Sequence, residues 1–152
     1  LYASLAENGT FRVSDAVAAK VKELFAAGYC DDQATKETIA RLFREKGYLC
    51  DTHTAVAVHV YESYLQKTGD QTPAVIASTA SPYKFSASVL DALTDGSIRS
   101  EDEFSMVHEL EEKTKVPAPE QLRSLRGQTP RFTDVCDKTE MSEKVYQMLG
   151  LA

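Results

Sequence analysis

The sequence predicts an α/β fragment, predominantly helical with about one or two strands. Three observations lead there. Helical periodicity framed by capping residues recurs six or seven times along the chain. A single apolar run with β-branched residues, Ala74-Val75-Ile76-Ala77-Ser78, has the length and makeup of a buried strand. No partner for it is apparent, and a buried strand without a ladder costs on the order of several kcal/mol in lost backbone hydrogen bonds. Its partner strands are therefore expected from sequence outside these 152 residues or from another copy of the chain.

The elements follow in order. Leu1, Leu5 and Ala6 fall at helical spacing before Gly9, as if the chain opened inside a helix, and a fragment of a longer product is expected. Ser14 is placed to cap a helix carrying Val17, Val21, Leu24 and Phe25 on one stripe, with Gly28 as its stop. Asp31 or Asp32 caps the next, with Thr35, Ile39, Leu42 and Phe43 on one face and Gly47 closing it. Asp51 is the expected cap of a long helix over about 52–67, apolar nearly all round and so expected between layers. The strand at 74–78 follows, ending in hydroxyl-bearing residues and Pro82.

A helix with Val89, Leu90 and Leu93 stops at Asp95-Gly96. Ser100 and Glu103 have capping-box spacing before a helix with Phe104, Val107 and Leu110. Pro117-Ala118-Pro119 breaks the chain, a short helical turn covers Leu122 and Leu125, and a last helix is expected from about 139 to 149. Residues 1–152 read as a single incomplete domain with no internal boundary.

Composition narrows the function. An apolar fraction of 43% and a charged fraction of 26% are those of a globular protein. A net charge of −6, from 17 basic and 23 acidic side chains, argues against nucleic acid as a partner. No stretch approaches the roughly 20 apolar residues of a membrane span. Cys30, Cys50 and Cys136 form an odd set without framework spacing, which suits free thiols in a cytoplasm.

Strand followed by a cluster of small polar groups is how α/β enzymes bring side chains to a ligand beyond the carboxyl edge of a sheet. Ser78, Thr79 and Ser81 form such a cluster; equally, their hydroxyls can cap the next helix and satisfy the turn. Ser81-Pro82-Tyr83-Lys84 has the S-x-x-K form of a lysine-activated serine nucleophile, but no S-D-N accompanies it and Lys67-Thr68-Gly69 lies on the wrong side. Cys50 and His53 have C-x-x-H spacing without a second ligand pair, so no metal is expected. His53, in the first turn of its helix, can donate to a neighbouring carbonyl or face a ligand phosphate.

Gly47-Tyr48-Leu49-Cys50-Asp51-Thr52-His53-Thr54-Ala55-Val56 and Ser78-Thr79-Ala80-Ser81-Pro82-Tyr83-Lys84-Phe85 together resemble the C-terminal third of threonine synthase. The first motif usually reads G-Y-x-x-D-P-H-T-A in that family and the second S-T-A-x-P-x-K-F. Thr52 stands where proline is common, and Ser81 and Tyr83 where some members carry His and Ala. The resemblance implies a fold-type-II enzyme of the tryptophan synthase β kind, a pyridoxal 5'-phosphate (PLP)-dependent lyase of threonine biosynthesis that turns O-phosphohomoserine and water into threonine and phosphate. It places the hydroxyl that meets the cofactor's pyridine nitrogen at Thr79. Ser78, Ser81, Lys84, Asp51 and His53 become candidates for contacting substrate or supporting those that do. It puts the Schiff-base lysine and the phosphate-cradling glycine loop upstream, so no catalytic residue is expected here and the piece alone is expected to be inactive.

Two other classes stay open. A truncated paralogue would act as a non-catalytic module that self-associates through the unpaired strand, and the S-x-x-K motif would make a serine hydrolase.

Overall fold

In the computed structural model, residues 1–151 are described, and they are predominantly helical. Among the described residues eight α-helices run in the order α1 (Tyr2–Asn8), α2 (Asp15–Leu24), α3 (Asp32–Lys46), α4 (Thr52–Thr68), α5 (Ser86–Thr94), α6 (Glu103–Thr114), α7 (Glu120–Arg123) and α8 (Met141–Met148). Short 3-10 turns precede α5 (Pro82–Phe85) and α8 (Lys138–Glu140). The chain divides into two compact units, Leu1–Pro119 and Glu120–Ala152. The boundary falls directly after the Pro117-Ala118-Pro119 break, which reads in sequence as a pause between helices. Among the described residues no helix is long and apolar enough to cross a membrane.

The core of the first unit is built on α3, which packs against α4 and α5, while α5 packs in turn on α6. Ile39, Ala55, Val89, Leu90 and Leu110 are completely buried there. Each large aliphatic among them contributes roughly 1.5–3 kcal/mol. Ion pairs tie the same helices at the rim: Arg41 of α3 meets Glu62 of α4 at 2.6 Å, and Lys36 of α3 pairs with Asp91 of α5.

Caps mark the elements as the sequence predicts at several ends. Asp31 accepts from the Ala34 N–H at 2.8 Å, Ser14 from that of Val17 at 3.4 Å, and Gly47 closes α3 at φ 64°. Asp95 ends α5 in the left-handed region at φ 49°, an uncommon conformation for a side-chain-bearing residue. In the second unit, Lys144 of α8 meets Asp134 at 2.7 Å, and the α8 side chains Met141, Val145 and Tyr146 are exposed.

Four local expectations are corrected. The run at 74–78 forms no strand: no ladder exists among the described residues, and Val75 is 97% exposed. A strand is a cooperative pairing of backbones, so the same residues without partners stay irregular and open. The helix α4 is half-buried, with only Thr54 and Ala55 fully inside, and is not enclosed between layers by the described residues. Gly28 does not stop α2, which ends at Leu24 with Phe25 extended; Gly28 lies against Val60 of α4. The capping box at Ser100 gives way to Asp102, which accepts from the Ser105 N–H at 3.0 Å. Ser100 instead donates its hydroxyl to Glu109 of α6 at 2.7 Å, because that carboxylate also gathers the Arg99 and Ser100 backbone N–H groups.

Candidate functional site

The site is built outward from the first turn of α4. Four N–H groups at a helix start lack intrahelical acceptors, and Asp51 answers two of them. Its Oδ1 accepts from the His53 N–H at 2.8 Å and the Thr54 N–H at 3.2 Å. Its Oδ2 takes the hydroxyl proton of Thr54 in a short contact. The carboxylate is wholly buried. Burial alone would raise its pKa, but the Thr54 hydroxyl and the Thr54 and His53 N–H groups outweigh this and hold it below the ordinary carboxylate value.

Thr54 is itself buried, and its Oγ lies 3.0 Å from the Ser78 Oγ. This contact brings the two sequence motifs together in space. It fastens the far end of the open 71–79 segment to α4. The near end is held at Asp70, which accepts from the Tyr64 hydroxyl and the Thr72 N–H, both at 2.9 Å. Thr79, beside Ser78, is exposed.

His53 presents an exposed side chain over this turn. Its ring packs on that of Phe85, with centroids 5.0 Å apart and planes at 54°. Its Nδ1 lies 3.4 Å from Asp51 Oδ1 and 3.4 Å from Thr52 Oγ. His53 also lines a cleft of about 440 Å³, with Cys30, Thr35, Lys36, Thr52 and Ser88. A larger hollow of about 610 Å³ along α3 holds none of the sequence-predicted site residues and is lined by paired charges such as Arg41 with Glu62.

Ser81 uses its hydroxyl as a cap, accepting from the Tyr83 N–H at 3.3 Å. Its hydroxyl thus serves the turn. Lys84 is exposed one residue before Phe85. Tyr83 and Ser86 fix this turn: the Tyr83 hydroxyl donates to the Val116 carbonyl, and the Ser86 hydroxyl to the Tyr83 carbonyl at 2.9 Å.

Asp51, His53, Thr54 and Ser78 are thus one cluster, with Thr79 on its open side and Ser81 and Lys84 on the adjoining turn. Sequence reasoning misses Thr54 as a member and Phe85 as the ring against His53. Asp51-x-x-Thr54 spacing was the available signal for the first; the stacking of Phe85 had none. Cys50 is buried next to Asp51, and burial followed by that carboxylate's charge pushes its thiol up to about 11. Among the described residues no group of three or more His, Cys, Asp or Glu side chains is placed to hold a metal.

The model of the family described as "Threonine synthase, C-terminal" matches residues 54–145. Threonine synthase of Saccharomyces cerevisiae is 32% identical over 98 residues, covering 61% of this chain and 19% of that protein. Human threonine synthase-like 1 is 31% identical over 93 residues, 61% of this chain and 12% of that one. The chain therefore matches a fifth or less of these relatives' lengths. Among solved structures, PLP-bound threonine synthase from Brucella melitensis superposes with a TM-score of 0.70 at 24% identity, covering 100% of this chain and 28% of that one. That likeness speaks to fold: the helices described above follow those of part of that structure. With well over half of its residues matched by the family's own model, the chain belongs to the threonine synthase C-terminal family.

Proposed function

We propose that the chain forms one wall of the active site of a cytoplasmic, PLP-dependent threonine synthase acting on O-phosphohomoserine and water. The observation that carries this reading is the Thr54–Ser78 contact, which joins both motifs and leaves Thr79 exposed beside the tethered residue. An uncharged hydroxyl suits a pyridine nitrogen: it donates to the ring's lone pair without adding the negative charge that would hold a proton there. The fit covers the ring nitrogen alone. Six of the seven glycines, Gly9, Gly47 and Gly69 among them, lie singly in the left-handed region, Gly28 lies against Val60, and among the described residues they form no cradle for a cofactor phosphate.

When bound, PLP supplies an electron sink for carbanionic character on the substrate. Thr79 would be the residue to meet the ring nitrogen, and its uncharged hydroxyl would leave that nitrogen neutral, which would moderate the sink. Asp51, Thr54 and Ser78 hold Thr79 in place. Lys84 offers an exposed cation, and His53 a ring nitrogen, to an anionic substrate group entering over the turn. On this reading the lysine that binds the cofactor covalently lies outside residues 1–152, and these residues alone are inactive.

In the full-length protein carrying this chain, Thr79→Val is expected to weaken cofactor retention at least tenfold and shift its visible absorption, with Thr79→Ser close to wild type. Equal retention by the valine variant overturns the reading. Adding PLP to the 152-residue chain tests the inactivity separately: a stable visible band of covalently held cofactor would contradict it.

A second reading is favoured by Val75, 97% exposed on an unpaired apolar segment. It holds that two copies of the chain associate through residues 71–79. Light scattering after size exclusion tests this, and a monomer at every concentration contradicts it.

A further inference from the structure

We propose that Asp51 and Thr54 set the direction of the Ser78 hydroxyl, making Ser78 a hydrogen-bond acceptor toward any ligand and leaving Thr79 as the donor. The argument is proton counting. Thr54 has one hydroxyl proton, and its oxygen contacts both Asp51 Oδ2 and Ser78 Oγ. A carboxylate has no proton to give, so the Thr54 proton goes to Asp51. The 3.0 Å contact between the two hydroxyl oxygens must then be bridged by the proton of Ser78. Ser78 is left with lone pairs on its open side. The charge on Asp51 is secured by the three hydrogen bonds that hold its pKa low, so the order does not reverse near neutral pH.

The consequence rests on the reading of Thr79 as the partner of a pyridine nitrogen. An unprotonated ring nitrogen offers a lone pair and needs a donor. Ser78 serves it only by giving up its bond to Thr54; Thr79 serves it without that loss. The row of Asp51, Thr54 and Ser78 is therefore a positioning device, and it distinguishes two adjacent hydroxyls that the sequence leaves equivalent.

The test is backbone relaxation by NMR on the 152-residue chain. Order parameters at Ser78 and Thr79 are expected near about 0.85 in the wild type and below about 0.6 in Thr54→Val. Thr54→Ser keeps the hydroxyl and is expected to restore the wild-type values, which a loss of packing would not. Ser78→Ala cuts the same bond from its exposed side, leaving α4 helical by circular dichroism while Thr79 loosens. Unchanged order in both Thr54→Val and Ser78→Ala, or no recovery in Thr54→Ser, overturns the proposal. Loosening in Thr54→Val together with full cofactor retention in full-length Thr79→Val upholds the positioning and removes the cofactor reading instead.

Discussion

The hydroxyl of Thr54 lies 3.0 Å from that of Ser78, a residue 24 positions further along the chain. This contact joins the first turn of α4 to the open segment, and behind it stands a buried carboxylate. The site is thus held by polar bonds in a place where losing one partner strands another.

Asp51→Ala is expected to destabilise the first unit by roughly 2–4 kcal/mol. A lost helix cap costs about 1 kcal/mol, and a buried hydroxyl left without its acceptor costs about 1–3 more. Asp51→Asn keeps an acceptor oxygen and should lose less than half as much. Urea unfolding measures both, and equal losses would mean that the charge and not the cap carries the effect.

Acid should expose the same group. The folded Asp51 carboxyl titrates below the value of an unfolded aspartate, about 3.9. Between those two values the unfolded chain binds more protons, so stability rises with pH there. The contribution is complete above about pH 5 and is lost as pH falls through the folded pKa. Asp70 and Glu109 are held low in the same sense, Asp70 first by hydrogen bonds from Thr72 and Glu109 by the Ser100 hydroxyl. Asp51→Asn should flatten the fall in stability below pH 5, and a slope equal to that of the wild type would exclude Asp51 as a contributor.

Gly28→Ala tests how closely the segment before α3 meets α4. A Cβ at residue 28 would sit 2.8 Å from Val60 Cγ1, and a β-branched neighbour has little rotamer freedom to withdraw. A loss of about 1–3 kcal/mol is expected. The double variant with Val60→Ala should recover part of it, whereas simple additivity would place the strain elsewhere.

Ile39→Ala should cost about 2–5 kcal/mol, since the side chain is wholly enclosed where α3 meets its neighbours. The equivalent change at Val17, half exposed on α2, should stay within about 0.5 kcal/mol. Thermal unfolding of the two variants compares them directly.

The three thiols should differ in reactivity toward a disulfide reagent near pH 8. Cys136 is exposed and should react first; Cys50, buried and pushed up to about 11, should react only on unfolding. Prompt modification of Cys50 in the folded chain would show that the turn before α4 opens readily.

Helix ends were legible in the sequence where a short polar side chain or glycine met an amphipathic run, as at Ser14, Asp31, Gly47 and Asp51. Capping is chemistry between residues two or three apart, so a local reading captures it. Ser100 shows where that fails: a capping box was available, but Glu109 on the next helix turn offered a better acceptor. The strand failed for the complementary reason. Its residues are apolar and β-branched, but no strand forms at 74–78, since pairing has to be supplied by other backbones. Within the site, Asp51 was legible as a cap, while Thr54 as the link to Ser78 depended on where a loop folds back, which spacing does not encode.

The tether at Ser78 also fixes a phase. In extended backbone alternate side chains point to opposite sides, so a residue bound to α4 sets the parity of its neighbours. Ile76, two positions back, is half-buried, whereas the other residues of 71–79 are exposed. A backbone that paired with this segment would meet it held at one point, and a slip by one residue would have to break the Thr54 bond first. The hydroxyl pair would then act as a register pin for any strand laid beside it.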